Sequence, residues 1–240
     1  MHICCVHIDQ TLDETAFQEM MQYVTPEKRA RIQRFRKPID ATRSLLGDLI
    51  IRFILCRHYG FHNHEIHYEH QEFGKPYLPE HPDVHFNISH SGDWVVGVVS
   101  THPVGIDIEK ITEVKENLTS LALTTEEHQQ FQKLNETERN LFFFELWTLK
   151  ESYVKATGKG LSEGLNTLQI SRDNGKIHIE KKGKPVPAYF KMLECIEGHQ
   201  LSLCSFSEHP EKDMRSFLLN EFIEKVKSLL RMSKTLYEGK

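Results

Sequence analysis

Apolar positions recur along this chain with two periods, and the switches between them mark out its elements. Residues 1 to 8, Met-His-Ile-Cys-Cys-Val-His-Ile, alternate apolar with other side chains and predict a strand. Asp13 is placed to cap a helix to about Val24. Thr25-Pro26-Glu27-Lys28 is a stronger start, with an N-cap, a proline at the first helical position and an acid at the second. From about Asp40 to His58, Leu46, Leu49, Ile50, Phe53 and Ile54 fall at helical core spacing, and Gly60 supplies a stop. Phe73-Gly74-Lys75-Pro76-Tyr77 reads as a turn that presents Lys75 outward. Period two returns at Val84 to Ile88 and Trp94 to Ser100, around the turn Ser89-His90-Ser91-Gly92-Asp93.

Thr101-His102-Pro103 is the candidate boundary, because a similar pattern follows it. A strand is predicted at 104 to 109 and helices from about 113 to 158. Further strands are predicted at Leu168 to Ser171, Lys176 to Glu180, Ala188 to Leu193 and Gln200 to Phe206. The reading is α+β in two similar α/β halves, residues 1–102 and 103–209. Residues 210–240 then form an amphipathic helical extension. Phe217, Leu218, Leu219, Phe222, Ile223, Val226, Leu229 and Leu230 are its apolar side, with Lys225, Lys227 and Arg231 opposite, and we read it as a packing helix.

Two stretches carry candidate chemistry. In Val104-Gly105-Ile106-Asp107-Ile108-Glu109, period two sends the isoleucines to one face and both acids to the other. Acids are depleted in strands, so such a pair calls for a counter-charge. Helical spacing puts Trp147, Glu151 and Lys155 on one stripe with Lys150 on its flank, and Gly158 is placed to end the helix. Alone, this is also what a solvated helix face looks like. Bringing Glu151 to Asp107 and Glu109 would make an all-oxygen site suited to Mg²⁺ or Mn²⁺ and poorly to zinc, with two lysines beside it for a polyphosphate. Trp147 reads as a core wedge.

Composition narrows the partners. A net charge of −4 over 240 residues argues against a nucleic-acid binder held by bulk charge, although Lys28, Arg29, Arg31, Arg34, Arg36 and Lys37 form a local anion-attracting patch. No apolar run approaches a membrane span and residues 1 to 8 carry no basic leader, so a soluble cytoplasmic protein is expected. Five cysteines without a Cys-x-x-Cys fit reduced thiols. The histidine-rich run from His62 to His70 puts His62, His64 and His70 on one face of an extended strand with His67 opposed, which reads as polar histidines turned to solvent rather than a zinc site.

Gly105-Ile-Asp107-Ile-Glu109-Lys110 followed by Trp147-Thr-Leu-Lys150-Glu151-Ser-Tyr-Val-Lys155-Ala resembles the signature pair of the Sfp-type 4′-phosphopantetheinyl transferases. Those enzymes move the phosphopantetheine arm of coenzyme A onto a serine of acyl or peptidyl carrier proteins. Thr25-Pro-Glu-Lys28-Arg-Ala-Arg31, Arg43-Ser-Leu-Leu-Gly47-Asp, Phe73-Gly-Lys75-Pro-Tyr and His85-Phe-Asn-Ile-Ser89-His90-Ser91-Gly also resemble family motifs, in family order, so the resemblance spans roughly residues 1 to 205. It implies a pseudo-twofold pair of α/β subdomains with the active site in the cleft between them. Asp107, Glu109 and Glu151 would hold Mg²⁺. Arg43, Ser89 and His90, with Ser44, Lys28, Arg31 and Lys75 nearby, would contact the 3′-phosphate and adenosine end of coenzyme A. Lys150 would contact a phosphate, Lys155 would assist departure of 3′,5′-ADP, Glu127 or a metal-bound water would deprotonate the attacking serine, and Glu151, beside the metal, would belong to the catalytic set. The chain departs from the family at Ala122 and Leu123, where paired aromatics are common. The larger family members usually act as monomers and often serve peptide or polyketide synthetases. The residue chemistry leaves open a metal-dependent phosphohydrolase or an inactive carrier-binding module.

Overall fold

The structure is a computed structural model and describes residues 1–160, 164–207 and 213–235. Local chemistry sets its helix starts. Asp13 accepts a hydrogen bond from the Ala16 amide at 2.8 Å and opens α1 (Glu14–Met21), and Thr25 accepts from Lys28 at 3.3 Å and opens α2 (Pro26–Ile32). Reciprocal capping boxes, Thr124 with Glu127 and Asn135 with Glu138, open α5 (Thr125–Lys133) and α6 (Glu136–Thr157). The remaining helices are α3 (Pro38–His58), α4 (Glu116–Ala122) and α7 (Leu219–Thr235).

One sheet has the order β12 (Asp213–Leu218), β1 (His2–His7), β5 (Trp94–Ser100), β4 (His85–Ser91). The other runs β6 (Val104–Lys110), β11 (His199–Ser205), β10 (Tyr189–Met192), β8 (Lys176–Lys181), β7 (Leu168–Asp173), with β9 (Lys184–Pro185) pairing β8. A two-residue pair, β2 (Glu69–His70) and β3 (Pro76–Tyr77), stands apart. The first sheet is buried on both faces. Cys4, Val6, Val95 and Val99 pack toward α3 and α7. Their alternates Ile3, Cys5, Val96 and Val98 pack with Ile106, Ile108, Leu201 and Leu203 of the second sheet. A third cluster, with Phe143, Leu149, Tyr153 and Phe190, joins α6 to the far side of the second sheet. Each half is thus a sheet backed by a long helix, as expected, and the two sheets share a core.

Two expectations are corrected. The extension is not a lone helix. Asp213–Leu218 is a strand parallel to β1, and Phe217, Leu219, Phe222, Ile223, Val226 and Leu230 belong to the core of the first half. The physical reason is the edge of β1, whose unpaired amides and carbonyls β12 satisfies. Residues 210–212 and 236–240 of that expectation lie outside the described residues. The histidine-rich run is likewise not an extended strand, since Asn63–Glu65 is a 3₁₀ turn. The buried Arg52 guanidinium, paired with Asp48 at 2.5 Å, donates to the Asn63 carbonyl and side chain at 3.0 Å each and to Ile66 O at 3.1 Å, folding the run around itself.

No disulfide joins any of the five cysteines, and among the described residues no helix is long and apolar enough to cross a membrane.

Candidate active site at the junction of the two halves

Helix α6 lies directly on β6, and one glycine permits it. A Cβ on Gly105 would stand 2.0 Å from the Ser152 carbonyl oxygen and 2.5 Å from the Ala156 amide, closer than any side chain tolerates. Period two then turns Asp107 and Glu109 to the same face as Gly105, beneath Glu151 and Lys155 of α6. At its far end α6 stops on Gly158 in the left-handed conformation, φ +73°, as its sequence position predicts.

Strand β4 is fastened to β6 by side chains. Asn87 Oδ1 accepts from the Ile106 amide at 3.0 Å, Ser89 Oγ from Ile108 at 3.3 Å and Ser91 Oγ from Lys110 at 3.1 Å. Three alternate residues of one edge strand thus satisfy three alternate amides of the other. The hydroxyls reach on into the acids: Ser89 donates to Asp107 Oδ1 at 2.9 Å and Ser91 to Glu109 Oε2 at 2.7 Å. Lys155 Nζ donates to Asp107 Oδ1 at 2.5 Å and to Ser89 Oγ at 2.9 Å. Sequence reasoning missed Asn87 and Ser91 as seam residues. Their signal was polar alternation, Asn-x-Ser-x-Ser, in an otherwise apolar region.

The electrostatics are those of an under-compensated acidic cluster. Asp107 is 2% exposed, its Oδ1 is satisfied, and its Oδ2 is buried without a partner. Burial pushes the Asp107 carboxyl above its usual pKa, against the pull of Lys155 and Ser89. Glu109 and Glu151 are also raised, by burial first and then by the Asp107 charge, with Ser91 opposing at Glu109 and Lys155 at Glu151. An orphaned carboxylate oxygen beside two repelled carboxylates fits a hard divalent cation with oxygen ligands, and Asp107, Glu109 and Glu151 are the residues that would hold it. Their donor oxygens are not drawn together as tightly as a bound ion would draw them: among the described residues, the group whose donors all lie within 4.8 Å is elsewhere. Here Lys155 is the counter-charge.

Next to the acids lies a cationic corner. Arg43 donates to Gly92 O at 2.5 Å in the β4–β5 turn and to Asp40 Oδ1 at 3.0 Å, while its Nε is buried without a partner. His90, exposed on β4, is held below its ordinary pKa by partial desolvation, Arg43 and Lys155. Ser44, beside Arg43, is half-buried. Lys28 is half-buried, its pKa lowered by burial although Asp48 opposes, and Arg31 is exposed on α2.

Four of the sequence-predicted residues have partners within the chain. Lys150 is fully buried; its ammonium donates to Ala122 O at 2.7 Å and ion-pairs with Glu127, so it faces the core of the second half and contacts no cleft. Glu127 is 2% exposed, with Oε2 accepting from Lys150 and from the Thr124 amide at 2.9 Å and Oε1 accepting from Ile170 at 3.0 Å, so its carboxylate is the counter-charge of Lys150. Lys75 is turned inward, donating to Ala156 O at 2.8 Å at the C-terminus of α6, where burial lowers its pKa to about 8. The Ser89 hydroxyl is spent on the seam.

The chain has relatives among known proteins. Residues 103–204 match the profile of the 4′-phosphopantetheinyl transferase superfamily and residues 11–102 that of the 4′-phosphopantetheinyl transferase N-terminal region. The chain is 34% identical over 212 residues to 4′-phosphopantetheinyl transferase Sfp of Bacillus subtilis, covering 88% of this chain and 94% of that protein. It is 38% identical over 200 residues to 4′-phosphopantetheinyl transferase gsp of Aneurinibacillus migulanus, covering 83% and 84%. With HetI of Nostoc, also a 4′-phosphopantetheinyl transferase, it shares 29% identity over 71% of this chain and 73% of the other. Matched on both sides of the junction where Asp107, Glu151 and Lys155 meet, the chain belongs to the 4′-phosphopantetheinyl transferase superfamily and is a transferase of that class.

Proposed function

We propose that this chain transfers the 4′-phosphopantetheine arm of coenzyme A to a serine of apo acyl or peptidyl carrier proteins, releasing 3′,5′-ADP, with Mg²⁺ held by Asp107, Glu109 and Glu151. The observation that carries this reading is the buried, half-satisfied Asp107 carboxylate between Lys155 and two further acids of raised pKa. Mg²⁺, when bound, neutralises charge on the pyrophosphate and orients it. Everything else falls to side chains. Arg43, whose Nε lacks a partner, and His90 receive the 3′-phosphate, and the Arg fork suits that planar recognition. A bond forms from the serine oxygen to the β-phosphorus while the bond from that phosphorus to its bridging oxygen breaks, and the electron pair departs with 3′,5′-ADP. Lys155, 28% exposed, stabilises that charge. With Glu127 held by Lys150, Thr124 and Ile170, Glu151 takes the serine proton. As acceptors we favour carrier domains of peptide or polyketide synthetases, following the family resemblance.

The test is the intact mass of an apo carrier protein after incubation with this chain, coenzyme A and Mg²⁺. A gain of one phosphopantetheine arm, abolished by EDTA, is the expected result. Phosphate release from coenzyme A without any carrier would support a metal-dependent phosphohydrolase instead, and docking without mass gain an inactive binder.

A further inference from the structure

Two histidines and an aspartate converge far from the run where histidines crowd in sequence. His2 opens β1, Asp213 opens β12 and is its register partner across the parallel ladder, and His58 ends α3. One ring nitrogen of each histidine and one carboxylate oxygen of Asp213 lie within 4.8 Å of one another, and all three residues are half-buried. The imidazoles stack with centroids 3.9 Å apart and planes 15° from parallel. His2 Nδ1 is buried without a hydrogen-bond partner, and Asp213 Oδ2 stands 3.6 Å from it, beyond hydrogen-bond reach.

We propose that His2, His58 and Asp213 form a binding site for a divalent transition ion of the Zn²⁺ type, separate from the carboxylates at Asp107. Imidazole nitrogens with one carboxylate are ligands for zinc and its neighbours, and poor ones for Mg²⁺. Metal bonds of about 2.0–2.2 Å in a tetrahedral site set ligand atoms roughly 3.3 Å apart, so the 3.6 Å pair stands near ligand spacing, while the His58 ring, stacked 15° from parallel on His2, must turn out of the stack to aim its nitrogen at the same ion. Arg215 Nε lies 3.4 Å from Asp213 Oδ2. It competes for that oxygen, and by moving to the other one it would orient the carboxylate toward the ion. Three protein ligands leave a fourth position to water. A bound ion would cross-link β12 to β1 and to α3, pinning the C-terminal strand.

Chelator-treated protein titrated with ZnCl₂ in excess Mg²⁺, followed by calorimetry, tests this. One Zn²⁺ per chain is expected. His58→Gln and Asp213→Asn should each weaken binding at least about tenfold, while His64→Gln in the loop leaves it unchanged. Zn²⁺ at a hundredfold excess over its dissociation constant should raise the melting midpoint of the wild type by about 5 °C or more and leave that of His58→Gln unmoved. In the wild type itself, the imidazole ¹⁵N resonances of His2 and His58 should shift on adding Zn²⁺, a readout that depends on no variant. No uptake, wild-type affinity in both variants, or unmoved His2 and His58 resonances would overturn the site.

Discussion

Asp107 carries a charge almost out of water, with two donors on one oxygen and none on the other. Such a group is a cost to folding that a ligand can relieve. Asp107→Asn should lower transfer by at least about 100-fold without lowering the melting temperature, since the lost charge served chemistry rather than packing. A large drop in stability would show that the Lys155 pair is structural instead. The pH dependence has a definite sign. Asp107, Glu109 and Glu151 have folded pKa values above their ordinary 3.8 and 4.5, so the folded chain retains protons that the unfolded chain releases. Their stabilising contribution is whole below about pH 4 and is lost as pH rises through the folded values. In EDTA, the melting temperature of the wild type should therefore fall more as pH rises from about 4 to neutral than that of an Asp107→Asn, Glu109→Gln, Glu151→Gln triple variant, and Mg²⁺ should restore it at neutral pH. Parallel curves with and without Mg²⁺ would count against the metal assignment. Lys150 and Glu127 behave differently. Removing one member of a buried pair costs about 3–5 kcal/mol, so Lys150→Met should melt early, and its folded fraction should keep the wild-type KM for coenzyme A. A raised KM at unchanged stability would return Lys150 to the phosphates.

At the scale of elements, the site exists because α6 touches β6 at Gly105. Even alanine there would collide with backbone of the helix, which no rotamer change relieves. Gly105→Ala should cost about 3 kcal/mol or more, read as a shifted denaturant midpoint, and should separate Lys155 from Asp107. A variant of unchanged midpoint would mean that β6 and α6 sit farther apart than described. The β4 seam works by a second device. Asn87, Ser89 and Ser91 give the exposed edge of β6 the acceptors that another strand would have given, and each serine also addresses one of the acids, so the joint between the halves and the site are one structure.

For the whole molecule, the two halves depend on each other and on the C-terminus. β12 and α7 close the sheet and core built by β1, β5 and α3, so residues 213–235 belong to the first half although they come last. A chain lacking them would expose Phe53, which meets Phe217 and Phe222, and the β1 edge. It should bind a hydrophobic dye, lose its cooperative melt and precipitate at modest concentration. An unchanged melt would restore the view of a dispensable appendage.

Much of this was written locally. The caps at Asp13, Thr25 and Thr124, the stop at Gly158 and the alternation of Asp107 with Ile106 and Ile108 are decided within a few residues, because capping hydrogen bonds and side-chain period involve only near neighbours. Those patterns set the elements, the two similar halves and the face on which the acids stand. Direction on a helix flank and pairing across the chain are different in kind. Whether Lys150 met solvent or Glu127, whether Lys75 pointed out or capped α6, and whether residue 213 began a helix or a strand beside residue 2 depended on partners many residues away. Only packing, which trades each buried charge and open edge against the nearest available counterpart in space, could settle them.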